Sequence, residues 1–156
     1  MISDVLRNPA QLFDVAGKTA LITGASGSFG RGVALALASL GANLVLASGS
    51  QTELDAVAAE AESLGAKVTN IARRPDTLED AQAMLDRAID VFGGIDMLVV
   101  ASGFNKPGFI QDQSYEDWQS VMDANVRGPW FLCKAVGSYW IAEKRKGKVL
   151  LMSSVR

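Results

Sequence analysis

The chain has no histidine and only one cysteine, Cys133, among its 156 residues. The lack of histidine excludes a Ser-His-Asp triad and any metal site built on histidine ligands. A single cysteine cannot form an internal disulfide, which is typical of a reducing compartment, and we expect a cytoplasmic protein. Cys133 lies in an apolar helical stretch, so we expect it to pack rather than to act as a nucleophile. Any acid–base chemistry must therefore use other residue types.

The sequence also has no strong excess of one charge and no long hydrophobic run. Its formal net charge is −2, and nucleic-acid binding would need clustered Lys and Arg. The short basic run 144–146 is typical of a helix end, where cations favour the helix dipole. No apolar run is long enough to span a bilayer, and the first residues do not resemble a signal peptide. We therefore expect neither a nucleic acid nor a membrane as partner.

What the sequence has is a regular alternation of apolar strand patterns and helical patterns, in a chain that is 49% hydrophobic and 21% charged. This alternation predicts a doubly wound parallel sheet covered by helices on both faces, with the strand order 3-2-1-4-5. We expect a single α/β domain over residues 1–156, in which residues 1–15 form an extension on the outside. The predicted strands are Lys18–Thr23, Asn43–Ala47, Lys67–Ile71, Met97–Ala101 and Lys148–Met152. The predicted helices are Phe29–Leu40, Thr52–Leu64, Thr77–Phe92 and Tyr115–Lys144.

A glycine-rich segment joins the first predicted strand to the first predicted helix. It reads Thr-Gly-Ala-Ser-Gly-Ser-Phe-Gly over residues 23–30. Glycines allow a tight turn, and the N–H groups at a helix start attract a phosphate. This order of strand, turn and helix predicts a pyrophosphate site. Its candidate residues are Gly24, Ser26, Gly27, Ser28, Phe29 and Gly30.

Other small and polar residues follow the later strands of the predicted sheet. In an open parallel sheet, ligands bind beyond the carboxyl ends of the strands. The same edge would therefore collect residues that follow the second, third, fourth and fifth strands, and a dinucleotide accounts for them most simply. The further candidates are Ser48, Arg74, Ala101, Ser102, Gly103 and Ser154.

Four segments in order resemble the short-chain dehydrogenase/reductase family: residues 16–24, 96–103, 118–128 and 147–154. The resemblance implies a Rossmann-like oxidoreductase that uses NAD or NADP to interconvert an alcohol and a ketone in a small-molecule substrate. It implies that Asn125 bends its helix and helps a proton relay, and that Ser154 hydrogen-bonds the substrate oxygen. It also implies a homo-oligomer through the helix Tyr115–Lys144, whose aromatic residues suit an interface.

Simpler roles remain open for the two implied catalytic residues. Pro129 cannot donate a hydrogen bond to the carbonyl of Asn125, which leaves that carbonyl available to a water or simply produces a kink that shapes packing. Ser154 is either the substrate-binding serine or a cap on the last strand.

The sequence departs from the family at its end and in its glycine motif. The family's Tyr-x-x-x-Lys pair, in which the Lys lowers the pKa of the Tyr, is absent, so we expect the isolated chain to be inactive. We also expect it to be a fragment of a longer enzyme, with its last strand left as an exposed edge. The common glycine spacing would place a glycine at Ser28, whereas Gly27 is shifted by one position. These departures keep a second hypothesis open, a non-catalytic nucleotide-binding or assembly module.

The choice between NAD and NADP depends on the end of the second strand. An acidic residue there binds the ribose of NAD, whereas a nearby Arg binds the extra phosphate of NADP. The neutral Ser48 permits NADP without requiring it, and we expect NAD or NADP with a slight preference for NADP. Arg74 stands where the family has an Asp that contacts adenine. Either Arg73 or Arg74 reaches a phosphate, or both are solvated loop charges.

Overall fold

The computed structural model describes residues 8–154 and contains a five-stranded parallel sheet in the order β3-β2-β1-β4-β5. This is the predicted order. Each strand end lies within one residue of its predicted position. The strands are β1 (Thr19–Thr23), β2 (Asn43–Ser48), β3 (Val68–Ala72), β4 (Met97–Val100) and β5 (Lys148–Leu151).

Helices cover both faces of the sheet, as predicted. The first three helices begin and end within one residue of their expected bounds. A short 3-10 turn at Pro9–Phe13 lies in the predicted extension and has no buried residue. Residues 1–7 of that extension lie outside the described residues. The helices are α1 (Ser28–Ser39), α2 (Gln51–Ser63), α3 (Leu78–Phe92), α4 (Tyr115–Met122) and α5 (Gly128–Ala142).

The core has two layers because successive strand residues point to opposite faces. Ala20 and Ile22 of β1 belong to a cluster under α1 and α2. Leu21, between them, belongs to a second cluster under α3 and α5. All five residues of β1 are buried, which is expected of a central parallel strand covered on both faces.

The prediction of one continuous helix over Tyr115–Lys144 was wrong. A π-helical turn at Asp123–Arg127 separates α4 from α5, and the helix ends at Ala142. Pro129 has no N–H to donate to the carbonyl four residues before it. The ladder shifts at this point, and the N–H of Gly128 donates to the Asp123 carbonyl, five residues back.

The strand register brings three strand ends to the same level. Thr23, the last residue of β1, pairs with Ala47 of β2 and with Val100 of β4. The loops that follow these strands therefore start side by side.

At the sheet edge, β5 is exposed along its whole length. Within residues 8–154, none of the helices is long and apolar enough to cross a membrane.

Candidate functional site

A cleft of about 570 Å³ opens at the carboxyl ends of the strands, within the size range of small-molecule and cofactor sites. Eight predicted site residues line it: Gly24, Ser26, Gly27, Ser48, Arg74, Ala101, Ser102 and Gly103. The sheet thus brings together segments that are far apart in the sequence. The remaining predicted residues lie beside the cleft or further along the same edge of the sheet.

Gly24 makes the first close approach in the turn after β1. It has a left-handed φ of +64°, and a Cβ at this position would lie 2.6 Å from the backbone of Ser102. The hydroxyls of Thr23 and Ser102 are 2.9 Å apart and share a hydrogen bond. The turn after β1 is therefore packed directly against the loop after β4.

The other two glycines hold the turn against the start of α1. The N–H of Gly27 donates to the Gly24 carbonyl at 2.9 Å. A Cβ on Gly30 would lie 2.1 Å from the same carbonyl oxygen, so no side chain fits there. Gly27 is the N-cap of α1, and no side chain caps this helix.

The start of α1 therefore presents backbone N–H groups beside the cleft, which is an arrangement that attracts anions. Ser28 is exposed and Phe29 is 73% exposed, and neither lines the cleft. Their backbone positions are in the first turn of α1, where the phosphate site was predicted.

Ser48 is buried at the end of β2, and its hydroxyl is used within the chain. The oxygen accepts a hydrogen bond from the N–H of Ser50 at 3.3 Å. Ser50 in turn caps α2 by accepting from the N–H of Glu53. The end of β2 therefore brings a neutral hydroxyl and no carboxylate to the cleft.

Arg74 crosses the end of β2 from the loop after β3. A Cβ on Gly49 would lie 2.9 Å from Nε of Arg74 and 3.4 Å from one of its terminal nitrogens. The neighbouring Arg73 forms an ion pair with Asp80 at 3.2 Å. The two adjacent arginines therefore have different surroundings, and the guanidinium of Arg74 lies at the cleft.

Asn125 lies in the π-helical turn and holds the loop after β4. Its Nδ2 donates to the carbonyl of Phe104 at 2.7 Å, and its Oδ1 accepts from the N–H of Phe104 at 2.9 Å. Asn125 does not itself line the cleft, but Phe104 and Gly103 do. Its side chain fixes the position of this wall.

A second contact ties the same loop to α4. Lys106 forms an ion pair with Asp117, and Gln113 donates to the carbonyl of Lys106 at 3.0 Å. The hydrogen bond from Lys106 holds the pKa of Asp117 below its usual value, although partial desolvation opposes this shift. Ser114 caps α4 through the N–H of Asp117, as its position before two acidic residues indicates.

Ser154 is exposed and lies three residues beyond β5, at the edge of the sheet that carries the cleft. It does not line the cleft.

Cys133 packs against the second core cluster, as predicted, and burial raises the pKa of its thiol.

Sequence reasoning missed part of the cleft wall. Pro75, Ser120, Asp123 and Arg127 all line it. Gly49 lines it as well, directly after the predicted residue Ser48. Pro75 lies in the loop after β3, and the other three lie along α4 and the π-helical turn, which the sequence did not predict.

Comparison with known proteins gives the same setting. A sequence model described as short chain dehydrogenase matches residues 18–156. An uncharacterized oxidoreductase of Mycobacterium tuberculosis is 44% identical over 144 residues, which cover 92% of this chain and 53% of that protein. The chain spans about half the length of the curated relatives it matches.

Solved structures agree in fold. A short-chain type dehydrogenase/reductase from Mycobacterium marinum superposes with a TM-score of 0.86 at 33% identity, covering 90% of this chain and 57% of that one. Carveol dehydrogenase from Mycobacterium avium, solved in complex with NAD, superposes with a TM-score of 0.85 at 25% identity. The superposition covers 91% of this chain and 56% of the carveol dehydrogenase chain.

Proposed function

Since the chain belongs to the short-chain dehydrogenase family, we propose that it forms the cofactor-binding part of an oxidoreductase that interconverts an alcohol and a ketone. The observation that carries the proposal is the cleft after β1, β2 and β4, with an uncapped helix start at one side. A pyrophosphate would bind at Gly27 and the first turn of α1. The nicotinamide would lie near Ser102 and Gly103.

The proposed chemistry is hydride transfer between the nicotinamide and the substrate carbon. Ser154 would hydrogen-bond the substrate oxygen. Asn125 would contribute through its backbone carbonyl, because Pro129 has no N–H to occupy it from four residues ahead. Its side chain would meanwhile hold Phe104 in the cleft wall.

The 156-residue chain contains two tyrosines, and neither has a Lys four positions later: Gln119 stands four positions after Tyr115, and Glu143 stands four positions after Tyr139. A phenol paired with a Lys is the group that moves the proton in the family implied by the motifs. We therefore propose that this chain alone binds a dinucleotide without turning over an alcohol. We also propose that it acts in the cytoplasm, as its single cysteine suggests.

For the cofactor we propose NAD or NADP, with NADP preferred. Ser48 brings no carboxylate to the ribose, and the positive charge of Arg74 lies at the cleft. Both features suit a ribose that carries a phosphate.

The test is titration of the purified chain with NADH and NADPH, followed by nicotinamide fluorescence and by calorimetry. We expect both to bind, with NADPH binding at least about tenfold more tightly, which is about 1.4 kcal/mol. If neither NADH nor NADPH bound to the chain, the proposed function would be wrong.

A non-catalytic nucleotide-binding or assembly module is the second candidate. Ser28 in place of a glycine, and Arg74 in place of an aspartate, both depart from the pattern of the family and favour this candidate. It predicts binding of adenine nucleotides with no preference for a nicotinamide group. Competition between NADPH and adenosine 2′,5′-bisphosphate distinguishes the two, because the enzyme hypothesis requires the nicotinamide half to add affinity.

We also propose that the protein forms a homo-oligomer through α4 and α5. These helices expose large apolar side chains, which suit an interface between copies. They are Tyr115 and Trp118 on α4 and Trp130 and Ile141 on α5.

A further inference from the structure

The edge strand β5 lies in the sheet without a buried side chain. Its four residues are all exposed, whereas the central strand β1 is buried along its whole length. Burial of one face normally fixes the register of a strand, because a slip of one residue turns every side chain to the other face. Backbone hydrogen bonds form in more than one register. The register of β5, with Met97 opposite Lys148 and Val100 opposite Leu151, therefore needs contacts outside the strand.

The chain just before β5 makes such contacts at the amino end of the sheet. Trp140, in the last turn of α5, donates from Nε1 to the Ile95 carbonyl at 2.8 Å. Arg145 donates from Nη1 to the Gly93 carbonyl at 3.2 Å. Both carbonyls lie between α3 and β4. Two side chains that precede β5 are thus attached to the turn that precedes β4, the strand with which β5 pairs.

The guanidinium of Arg145 also connects the starts of two strands. Its Nη2 lies 3.7 Å from Oδ1 of Asp96, the residue before β4. The other oxygen of this carboxylate, Oδ2, accepts a hydrogen bond at 2.9 Å from the N–H of Thr19, the first residue of β1. The Tyr139 hydroxyl accepts from Nη1 of Arg145 at 3.3 Å, and Cζ of Arg145 lies over the Tyr139 ring. The position of Arg145 is therefore tied to the starts of β1 and β4.

The indole of Trp140 holds the other side of the same connection. A Cβ built on Gly147 would lie 2.2 Å from two carbons of this ring, so the backbone just before β5 lies against it. The ring is itself held, because Nε1 is bonded to Ile95 and the side chain packs against the second core cluster. Between them, Lys144 has a left-handed φ of 52°. A residue with a side chain keeps such a backbone where the surrounding contacts hold it.

We propose that Trp140 and Arg145 set the register of β5 and thereby the position of Ser154, three residues beyond its end. Both are positioning residues that act through the backbone of the connection. A slip of one residue would move the chain that leads to Ser154 by about 3.3 Å along the strand and would reverse the faces of β5. The role of Ser154 rests on the proposed function, whereas the register of β5 does not.

The test is NMR of the isotope-labelled chain. A nuclear Overhauser contact between the backbones of Val99 and Leu150, which are opposite each other in the sheet, reports the register. Hydrogen exchange at two reporter amides, the N–H groups of Lys148 and Met152, reports the attachment of β5, because both donate at 3.0 Å to carbonyls of the β4 segment. The N–H of Leu44, which is bonded between β2 and β3, is the reference for the whole fold.

The variants remove the two attachments separately and together. Trp140→Phe keeps an aromatic ring and removes the N–H, Arg145→Gln removes the charge, and Arg145→Lys retains it. The matched controls are Trp130→Phe, at an exposed position on the same helix, and Lys146→Gln, which removes the charge next to Arg145. Neither control side chain bonds to the turn before β4 within residues 8–154.

Trp140→Phe and Arg145→Gln should each speed exchange at the reporter amides about three- to tenfold, the range expected for the loss of one hydrogen bond. The double variant should lose the register contact, and the amide resonance of Ser154 should move. Arg145→Lys should restore most of the protection that Arg145→Gln loses. Both controls should match the wild type, and exchange at Leu44 should stay unchanged throughout.

A retained register contact, or wild-type exchange at the reporter amides, would overturn the proposal if it were found in the double variant. Equal acceleration at Leu44 would also overturn it, because the substitutions would then act on the stability of the whole fold. The titration with NADH and NADPH is a separate measurement, since the cleft follows β1, β2 and β4. A wild-type chain that bound neither would refute the proposed function and leave the register of β5 as proposed.

Discussion

Gly30 leaves no room for a side chain in the turn after β1. A Cβ there would lie 2.1 Å from the Gly24 carbonyl oxygen and 2.7 Å from its carbon. These are backbone atoms, so the turn itself would have to move. The requirement is steric, because Gly30 does not have a left-handed φ.

We expect Gly30→Ala to lower the free energy of unfolding by about 1–3 kcal/mol, the usual cost of overpacking, and to weaken dinucleotide binding. Gly32→Ala is the control in the same helix, since a Cβ there meets no atom within 4 Å. It should raise stability by about 0.5–1 kcal/mol, because alanine favours a helix over glycine. Urea unfolding of both variants measures the difference, and equal stability of the two would contradict the steric account.

Asn125 acts through two hydrogen bonds of opposite direction to Phe104. In Asn125→Asp the carboxylate still accepts from the Phe104 N–H, but nothing donates to the Phe104 carbonyl. We expect the free energy of unfolding to fall by about 0.5–1.5 kcal/mol, the usual net value of one hydrogen bond. Chemical denaturation measures the fall, and hydrogen exchange at Phe104 reports the local loosening.

Asn105→Asp is the matched control for this variant, because Asn105 is the next residue after Phe104 and is exposed. It introduces the same charge beside Phe104 without replacing Asn125. If both substitutions changed stability equally, the effect would come from the charge and not from the contact with Phe104.

At the scale of elements, the loop between β4 and α4 is held to α4 by the pair of Lys106 and Asp117. The pKa of Asp117 is lowered in the folded chain from its ordinary value of 3.8. The ionised carboxylate therefore stabilises the fold at pH values above that ordinary pKa. That contribution is lost as the pH falls through the lowered pKa of the folded state.

We expect Lys106→Met to raise the pKa of Asp117, because the hydrogen bond from Lys106 is the largest cause of the shift. Titration of the Asp117 carboxyl by NMR measures this change. Lys134→Met is the control, since Lys134 lies over the ring of Trp130 and away from Asp117. A pKa that stayed in place in Lys106→Met would show that Ser114 and the start of α4 cause the shift instead.

At the scale of the whole molecule, two apolar surfaces are exposed in different ways. Trp130 on α5 is 55% exposed, and Leu150 on β5 is 53% exposed. A helix face can form a closed interface between two copies, whereas an unpaired strand edge leads to open-ended association.

We expect Trp130→Glu to raise the dissociation constant of the proposed homo-oligomer at least about tenfold, because a Trp is often central to an interface. Leu150→Lys should leave this oligomer intact, because Leu150 lies on the edge strand and not on α5. Sedimentation velocity separates these outcomes. An oligomer that survived Trp130→Glu and dissociated with Leu150→Lys would assign the interface to β5.

The sequence by itself determined the sheet order, the positions of the strands to within one residue and the glycine-rich turn. These features depend on local patterns: apolar runs set the strands, and Gly24, Gly27 and Gly30 mark the turn. The family motifs are also local, and they were enough to indicate a short-chain dehydrogenase.

The tertiary structure decided the features that depend on contacts between residues far apart in the sequence. The π-helical turn divides the predicted helix Tyr115–Lys144, and Asn125 uses its side chain on Phe104, twenty-one residues away. The position of Arg74 over Gly49 joins loops from two strands, and no spacing in the sequence records it. The sequence therefore predicted a site at the carboxyl ends of the strands, whereas only packing placed the side chain of Arg74 at the cleft and beside Gly49.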